Sequence, residues 1–534
     1  MKSGFRQSMA WLHTWTGILV SWLLYFIFVT GTLGYFDSEI DAWMAPELPQ
    51  NTASVSASLN TANTHLNTYG RNAKEWLIYL PIVRSEPHLW LRYQQKSADG
   101  KLKNVSKTLN GESGEELTHR KTGGGQALYR MHYRLHYLPK QFAYYLVGVF
   151  TVFMLLGLVT GIVVHKKIFK EFFTFRRNKG ASSWLDGHNL MSVVSLPFHL
   201  MITYSGLIMF MFTYVPFVMN ASYGFGEENK QRFFDDYYQR GAPNSPSGIA
   251  ANQLPLNTLY QKAEAVLASN NDSRRAIAIR VFHPYDLNSL AVFSLEQKSP
   301  SDDGAKLILH ATTGDLYSYT PVYQGTRHVH SIFLELHEGM FATLPVRWLY
   351  FFAGLTGCVM IASGMVLWTT KRRKKAQANP RGLPFSFKLT EGLNIGTVVG
   401  LPAAIAVYFL ANRLIAVDFA LRAEWVMHCF FITWCCFVGY GCWYSARKLA
   451  AVAWYRLWLT AGFLFALVPI VNALTTHRGL INSIKHNDVV FAAFDFISLV
   501  AAISCFAIAL MVKKHRLKPI ANKLQHIRQK EAAV

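Results

Sequence analysis

Residues 11–36 read WLHTWTGILVSWLLYFIFVTGTLGYF, an apolar run without a single charged side chain. At a rise of about 1.5 Å per residue, a helix of this length crosses about 30 Å of hydrocarbon. The run follows a short basic start with Lys2 and Arg6. It is too long for the apolar part of a secretory signal, and it has no clear small-residue cleavage site. We therefore interpret it as a retained membrane-spanning helix.

Further apolar runs of spanning length continue along the chain. The chain has 534 residues, of which 51% are hydrophobic and 16% charged. A soluble protein of this size usually has about a quarter of its residues charged. The sequence therefore predicts a bundle of about eight transmembrane helices. With the first run, the predicted spans lie near residues 9–36, 142–165, 189–218, 346–369, 393–411, 425–444, 457–474 and 489–512.

Basic residues collect on one side of these spans. Five connecting or terminal segments (1–10, 166–187, 370–392, 445–456 and 513–530) together hold 25 Lys and Arg residues. The two short connections on the opposite side, 412–424 and 475–488, hold two each. Short loops rich in Lys and Arg stay in the cytoplasm, so both termini are predicted to be cytoplasmic. The net charge of +22 is explained by this topology and does not indicate nucleic-acid binding.

Two long polar segments, 38–137 and 220–345, fall on the outer side of the predicted inner membrane. Each contains a helical or polar stretch, β-rich pieces, and an ending in which a Gly-containing acidic turn follows a strand, as at Gly111–Glu115 and Thr313–Asp315. This shared pattern predicts a duplicated unit of helix, α+β domain and helix. The predicted fold is thus an all-α membrane bundle with two periplasmic α+β loop domains.

The predicted domain boundaries follow from these segments. A four-helix extension after residue 389 has short connections and no loop domain, and it is interpreted as an appended bundle. The parts are helix 1 (1–37), periplasmic domain 1 (38–137), helices 2 and 3 (138–219), periplasmic domain 2 (220–345), helix 4 (346–375), a cytoplasmic linker (376–392), the appended bundle (393–512) and a basic tail (513–534).

Several kinds of site are not indicated. All six cysteines lie inside apolar runs, so the sequence predicts neither a disulfide framework nor a zinc site. No glycine-rich dinucleotide fingerprint follows a strand and no phosphate-binding Walker loop is present, which argues against nicotinamide or ATP binding.

The most informative chemistry is the placement of histidines in two tiers. Ionisable side chains inside spans are unfavourable and usually functional. One tier lies toward the cytoplasm and the other at the outer boundary. His188 and His199 are eleven residues apart, about three helical turns, so we expect them to share a helix face about 16 Å apart. The inner tier comprises His13, His165, His188 and His199, and the outer tier comprises His132, His136, His328, His330 and His337.

Two tiers on facing helices suit two bis-histidine haems, whose iron takes one imidazole nitrogen from each side. A lone histidine at a helix end is more often an ordinary interfacial residue, so the spacing leaves both interpretations open. Small residues near these histidines, among them Gly17, Gly31, Gly157 and Gly206, would let a flat macrocycle approach. No Cys-x-x-Cys-His occurs, so any haem would be non-covalent haem b.

These residues resemble a known family. Trp11–Ile18 with Thr30-Gly31 is similar to the first helix of PepSY-associated transmembrane proteins, and the resemblance extends over roughly residues 5–375. The other matching stretches are Leu135–Tyr137, Thr160–Ile168, Trp184–Leu190, Leu196–His199, Tyr204–Gly206, Leu336–Phe341 and Arg347–Phe351.

That family includes iron-regulated inner-membrane proteins and haem-containing ferrisiderophore reductases. The resemblance implies two PepSY-like outer domains and an oxidoreductase that passes electrons across the membrane to a periplasmic ferric chelate. Ferrous iron is held less tightly than ferric iron by such chelates, so reduction would serve iron acquisition. The electron donor would be a cytoplasmic reductant or a quinol, and the other partners are membrane lipid and the ferric siderophore.

With that resemblance, the predicted ligands of two haems b are assigned. The inner haem is assigned His13 and His199, with His165 and His188 as alternates. The outer haem is assigned His136 and His337, with His132 and His330 as alternates. Two other functions stay open: a PepSY scaffold without redox activity, and an iron or siderophore permease, for which Pro197, Pro402 and Pro469 would interrupt helices.

Overall fold

The computed structural model of the chain describes residues 4–84, 86–96, 102–165, 176, 179–238 and 244–517. They form two compact units. The helical unit comprises the described residues of 1–46, 120–204 and 348–534, and the sheet unit comprises those of 47–119 and 205–347. Most of the predicted basic tail, residues 518–534, lies outside the described residues, as does most of the basic segment 166–178.

The secondary structure is mainly helical. In chain order the helices are α1 (Phe5–Gly34), α2 (Asp37–Met44), α3 (Val55–Tyr69), α4 (Gly124–Arg134), α5 (Lys140–Val164), α6 (Ala181–Val194), α7 (Leu196–Met209), α8 (Met211–Tyr214), α9 (Phe217–Tyr223), α10 (Glu227–Tyr238), α11 (Leu256–Ser269), α12 (Gly325–Glu338), α13 (Leu344–Gln377), α14 (Phe385–Leu414), α15 (Arg422–Ala446), α16 (Ala450–Thr475), α17 (Leu480–Lys485) and α18 (Val489–Val512), followed by a π-helical turn at Lys513–Leu517. The strands are β1 (Glu75–Tyr79), β2 (Leu89–Lys96), β3 (Leu102–Leu109), β4 (Ala276–Phe282), β5 (Leu290–Leu295), β6 (Lys306–His310) and β7 (Leu316–Thr320).

Seven helices within the described ranges are long and apolar enough to cross a membrane, namely α1, α5, α13, α14, α15, α16 and the helix that begins with α18. An eighth span is obtained if α6 and α7 are counted together. The multi-pass helical character predicted from the apolar runs is therefore confirmed.

The third predicted span is not one straight helix. α6 and α7 meet at Ser195 with a bend of 67°. Pro197 lacks an N–H and its ring clashes with the carbonyl four residues earlier, which breaks a helix at this point. The Ser195 hydroxyl accepts a 2.8 Å hydrogen bond from Thr356. The assumption that His188 and His199 lie about 16 Å apart on one helix face is therefore wrong, because they occupy two differently directed helices.

The strands of both polar segments join a single sheet. Its order is β3-β2-β1-β4-β5-β6-β7, with every neighbouring pair antiparallel. β1 from the first segment pairs with β4 from the second, and Ile78 lies opposite Ile279 at the centre. The β-rich character of the two polar segments is confirmed, but their strands form one continuous antiparallel sheet where two separate α+β domains were predicted.

The duplication of the two segments is visible in matching turns. After β3, Gly114 N–H donates to Asn110 O, and after β6, Gly314 N–H donates to His310 O. The two glycines have φ of 74° and 76°, a left-handed conformation that favours glycine. Each half also has a helix, α3 or α11, whose apolar side chains belong to the common core of the sheet unit.

The last four membrane helices are not separate from the rest of the helical unit. α14 is the most buried spanning helix among those described. Its Asn394 accepts a 2.9 Å hydrogen bond from Trp22 of α1 and donates a 3.0 Å hydrogen bond to Met365 O of α13. Tyr25 of α1 also donates to Val398 O. Although this segment was predicted as an appended bundle, α14 shares one hydrophobic core with α1, α5 and α13.

Candidate functional site

The strongest candidate site is a pair of imidazoles in the helical unit. The ring centroids of His13 on α1 and His188 on α6 lie 6.2 Å apart, with an angle of 64° between the ring planes. His13 Nδ1 is 3.0 Å from Gly157 O of α5, and His188 Nδ1 is 2.9 Å from Met360 O of α13. A carbonyl oxygen can only accept, so Nδ1 carries the proton in both rings and the lone pair is on Nε2.

Glycines make room for both rings. A β-carbon on Gly161 would be 3.4 Å from His13 Cε1, and one on Gly364 would be 3.2 Å from His188 Cε1. Each glycine comes four residues after the residue whose carbonyl accepts from the histidine. In a helix, residue n+4 lies one turn further along the same face. The missing β-carbon therefore lets an imidazole reach the carbonyl of residue n. We call this contact between an imidazole and a glycine a glycine seat.

The same arrangement recurs at two other histidines of the helical unit. His132 on α4 is 2.8 Å from Ile27 O through Nδ1, and Gly31 follows four residues later. His199 on α7 is 3.3 Å from Ala353 O through Nε2, and Gly357 follows four residues later. The remaining nitrogen of His199, Nδ1, is buried without a hydrogen-bond partner among the described residues.

His132 and His199 lie at the same level of α1. His132 contacts the turn at Ile27 and Gly31, while the His199 ring packs edge-on against Phe28 at a centroid distance of 6.1 Å. This level is about 15 residues, or about 22 Å of helix, above His13. Four seated histidines thus occupy two depths along α1.

The other predicted ligands lie elsewhere. His165 directly follows the last residue of α5. His136 stacks on Phe431 of α15 at 5.7 Å. His337 belongs to the sheet unit, where its Nδ1 is 2.9 Å from Ser205 Oγ. His330, also in the sheet unit, lies between the rings of Phe212 and Tyr237.

The electrostatic environment outside the spans favours neutral imidazoles. Burial lowers the pKa of His132, and it likewise lowers the pKa values of His136 and His330. Only a neutral imidazole can offer a lone pair to a metal. In the sheet unit, burial and then the charge of Asp303 raise the pKa of Glu335 to about 8. No group of three or more His, Cys, Asp or Glu side chains that could hold a bare metal ion occurs in the part of the chain that the structure describes.

The His13 and His188 rings, with centroids 6.2 Å apart, are close enough that both could bind one metal ion. Two metal–nitrogen bonds of about 2.0–2.1 Å, plus roughly 1 Å from each nitrogen to its ring centre, span about 6 Å. Open space for a flat group is present nearby, since β-carbons on Gly17 of α1 and Gly157 of α5 would meet nothing within 4 Å. The residues present therefore fit a bis-histidine haem b.

Sequence reasoning identified the histidines but not how they associate. His13 lies beside His188, which was predicted as an alternate, and His199 lies beside Phe28 and Ala353. Gly357 and Gly364 of α13 were not singled out. Their signal was present in the sequence, because glycines repeat at 354, 357 and 364 within one apolar run.

Comparison with known proteins agrees with this architecture. The chain is 25% identical over 353 residues to uncharacterized protein PA4219 of Pseudomonas aeruginosa, and the match covers 61% of this chain and 85% of the relative. The family model described as PepSY-associated TM region matches residues 10–371. That range includes His13, His132, His188 and His199, and it ends before α14. The chain belongs to the PepSY-associated TM region family.

Proposed function

We propose that the protein is a di-haem b membrane oxidoreductase that reduces ferric iron held in a periplasmic chelate of the ferrisiderophore type. The observation that carries the proposal is the pair formed by His13 and His188. Both rings are oriented by a backbone carbonyl, and both have their lone pair on Nε2. When bound, a haem would supply an iron that cycles between the ferric and ferrous states.

The protein's own contribution at this pair is orientation. A ligating histidine usually donates its other ring N–H to a carbonyl or carboxylate, which fixes the tautomer and increases ligand basicity. Gly157 O and Met360 O accept these hydrogen bonds here. Thr160 Oγ1, 3.2 Å from His13 Nδ1, adds a second acceptor and itself donates to Leu156 O. The hydrogen bonds therefore hold both imidazoles in the tautomer that leaves Nε2 able to ligate.

A second haem is assigned to His132 and His199, in place of His136 and His337. His132 and His199 share the glycine-seat arrangement and the same level of α1. The Nδ1 atom of His199 is buried and has no hydrogen-bond partner in the described part of the chain, which supports a ligating role, since buried polar atoms are normally hydrogen-bonded. His337 also packs against a glycine, Gly206, but it belongs to the sheet unit, and His136 stacks on Phe431 instead.

The reducible substrate would be ferric iron in a chelate on the outer side, and the support for this is the family resemblance. The continuous sheet of the two polar segments is the largest non-membrane structure available to contact it. The cytoplasmic location of the termini and the inner-membrane location are part of the same proposal, supported by the distribution of Lys and Arg.

An absorption spectrum of the detergent-purified protein tests the cofactor assignment directly. We expect a reduced b-type α-band after addition of dithionite, and about two haems per chain by pyridine haemochrome. His188→Ala should remove one haem, whereas His165→Ala is the matched control and should retain both. His136→Ala should also retain both.

Reduction of a ferric chelate, followed with a ferrous-specific dye, then tests the activity. Wild-type protein without haem would exclude the reductase and favour the non-redox scaffold. Protein that binds two haems but does not reduce the ferric chelate would support the cofactor assignment and exclude the proposed substrate. Loss of haem from His165→Ala but not from His188→Ala would show that the pair is wrongly assigned.

A further inference from the structure

A groove opens between α15 and α16, in the part of the chain beyond the family match. Its volume is about 560 Å³, which is in the range of ligand pockets. Phe437, Leu457 and Phe463 give it apolar walls, and Tyr440, Arg456 and Thr460 supply its polar groups. Phe463 is 61% exposed, so the groove is open toward the surroundings of the helices. Such a groove accepts a long apolar chain but also presents one cation.

That cation is held in place without being neutralised. Arg456 Nη1 donates to the phenol oxygens of Tyr444 at 2.6 Å and Tyr440 at 3.4 Å. The two phenol rings stack on each other with centroids 4.4 Å apart. No carboxylate is available nearby in sequence, because residues 425–487 contain neither Asp nor Glu. The guanidinium is therefore oriented by neutral acceptors and keeps its full positive charge.

Two more cations lie at the same end of the groove-forming helices. Arg447 and Lys448 are exposed in the short connection between α15 and α16. The Arg447 guanidinium lies 4.1 Å from the centre of the Trp443 ring. Trp and Tyr side chains beside basic residues are typical of the membrane boundary, and long basic side chains extend toward the headgroups there. The cluster of Arg447, Lys448 and Arg456 is thus at headgroup level, with the apolar groove continuing into the hydrocarbon.

The apolar walls and the basic cluster together determine which class of ligand fits the groove. A neutral ligand such as an isoprenoid quinone would use the apolar walls but not the three cations. A water-soluble anion would use the cations but not the apolar walls. A phospholipid with net negative charge uses both, because its phosphate pairs with Arg and Lys while an acyl chain fills the groove.

We propose that the α15–α16 groove binds an anionic phospholipid, with the phosphate at Arg456, Arg447 and Lys448 and an acyl chain along Phe437, Leu457 and Phe463. This proposal does not depend on the haem assignment. It gives the helices that follow the family region a specific lipid-binding role at one membrane boundary.

Native mass spectrometry of the full-length purified protein tests the site. Phosphatidylglycerol and phosphatidylcholine with identical acyl chains are titrated separately. We expect phosphatidylglycerol to bind more tightly, and Arg456→Gln to weaken it by on the order of tenfold, the effect of losing one charge-assisted contact. Binding of phosphatidylcholine, whose phosphate charge is compensated by its own choline cation, should weaken less in that variant. Thr460→Phe, which fills the groove without altering charge, should weaken both lipids.

The matched control is Arg381→Gln, which removes an exposed cation from the connection between α13 and α14. It should leave both affinities unchanged, and thermal unfolding identifies any variant that fails to fold. If Arg456→Gln is unfolded, Arg447→Gln replaces it with the same expectation. Equal binding of the two lipids by the wild type would overturn the proposal. So would unchanged phosphatidylglycerol affinity in the folded arginine variants, or a co-purified quinone that Thr460→Phe displaces while phosphatidylglycerol binding persists.

Discussion

Gly31 of α1 lies directly against the imidazole of His132, so that a β-carbon at position 31 would stand 2.5 Å from His132 Nδ1. No side chain other than hydrogen fits in that space without moving the ring. The contact sets the distance between α1 and α4 and keeps His132 hydrogen-bonded to Ile27 O. Gly17 is on the same helix, but a β-carbon there would meet nothing within 4 Å. The two glycines therefore separate the effect of crowding from that of helix propensity.

Gly31→Ala should displace His132 and destabilise the helical unit by about 1–3 kcal/mol, the usual effect of overpacking. Gly17→Ala adds the same methyl group to the same helix and should be neutral, or stabilising by up to about 1 kcal/mol, because alanine favours helix. Thermal unfolding in detergent measures both. If haem is bound as proposed, Gly31→Ala should also lower the haem content. Equal stability of the two variants would contradict the crowding at His132.

The second prediction concerns α14. Asn394→Ala removes the acceptor of Trp22 and the donor to Met365 O, leaving buried polar groups without partners. Each such group typically destabilises by about 1–3 kcal/mol, so we expect a clear fall in the unfolding temperature. The exposed Asn482→Ala is the control and should have no effect. Truncation after Gln377 should likewise give a poorly folded protein, because α14 shares the core of α1. A truncated protein as stable as the full chain would show that α14–α18 are accessory.

The third prediction is a pH dependence in the sheet unit. Glu335 is 3% exposed, and burial together with Asp303 raises the pKa of its carboxyl to about 8. The folded state then holds a proton that the unfolded chain releases above its ordinary pKa. Stability contributed by Glu335 is present at low pH and falls as the pH rises from about 4.5 to 8.

Glu335→Gln should remove this dependence and keep an oxygen to accept from Gln297, which donates to Glu335 at 3.1 Å in the native chain. Relative to wild type, we expect it to be more stable by about 1–3 kcal/mol at pH 8.5 and about equal at pH 5. Thermal unfolding at the two pH values is the measurement. The exposed Glu115→Gln should change neither, and a Glu335→Gln variant with unaltered pH dependence would show that the carboxyl is ionised when folded.

The fourth prediction is topology. Reporter fusions placed after residues 180 and 380 should report a cytoplasmic location, and fusions within 60–120 and 240–320 a periplasmic one, because Lys and Arg collect in the former segments. The bent pair α6–α7 must cross the membrane once for this pattern to hold. A periplasmic signal at 380 would mean that the pair re-enters on the same side.

Much of the architecture follows from the sequence alone. Uncharged runs of spanning length determine where membrane helices form, because a backbone in hydrocarbon must satisfy its own hydrogen bonds. The repeated turns at Gly114 and Gly314 likewise revealed the duplication, since a left-handed turn needs glycine wherever it occurs. These are local properties, which each segment expresses without reference to the others.

The tertiary structure decided what the segments do together. Pairing of β1 with β4 joins strands about 200 residues apart into one sheet, and neither strand's pattern specifies that partner. The bend at Ser195 and the packing of α1, α5, α6 and α13 bring His13 beside His188, although His199 has an equally suitable position in the sequence. The physical reason is that helix faces and partners are chosen by packing over the whole unit. Counting residues along one helix gives a depth, but the neighbour at that depth depends on every other helix.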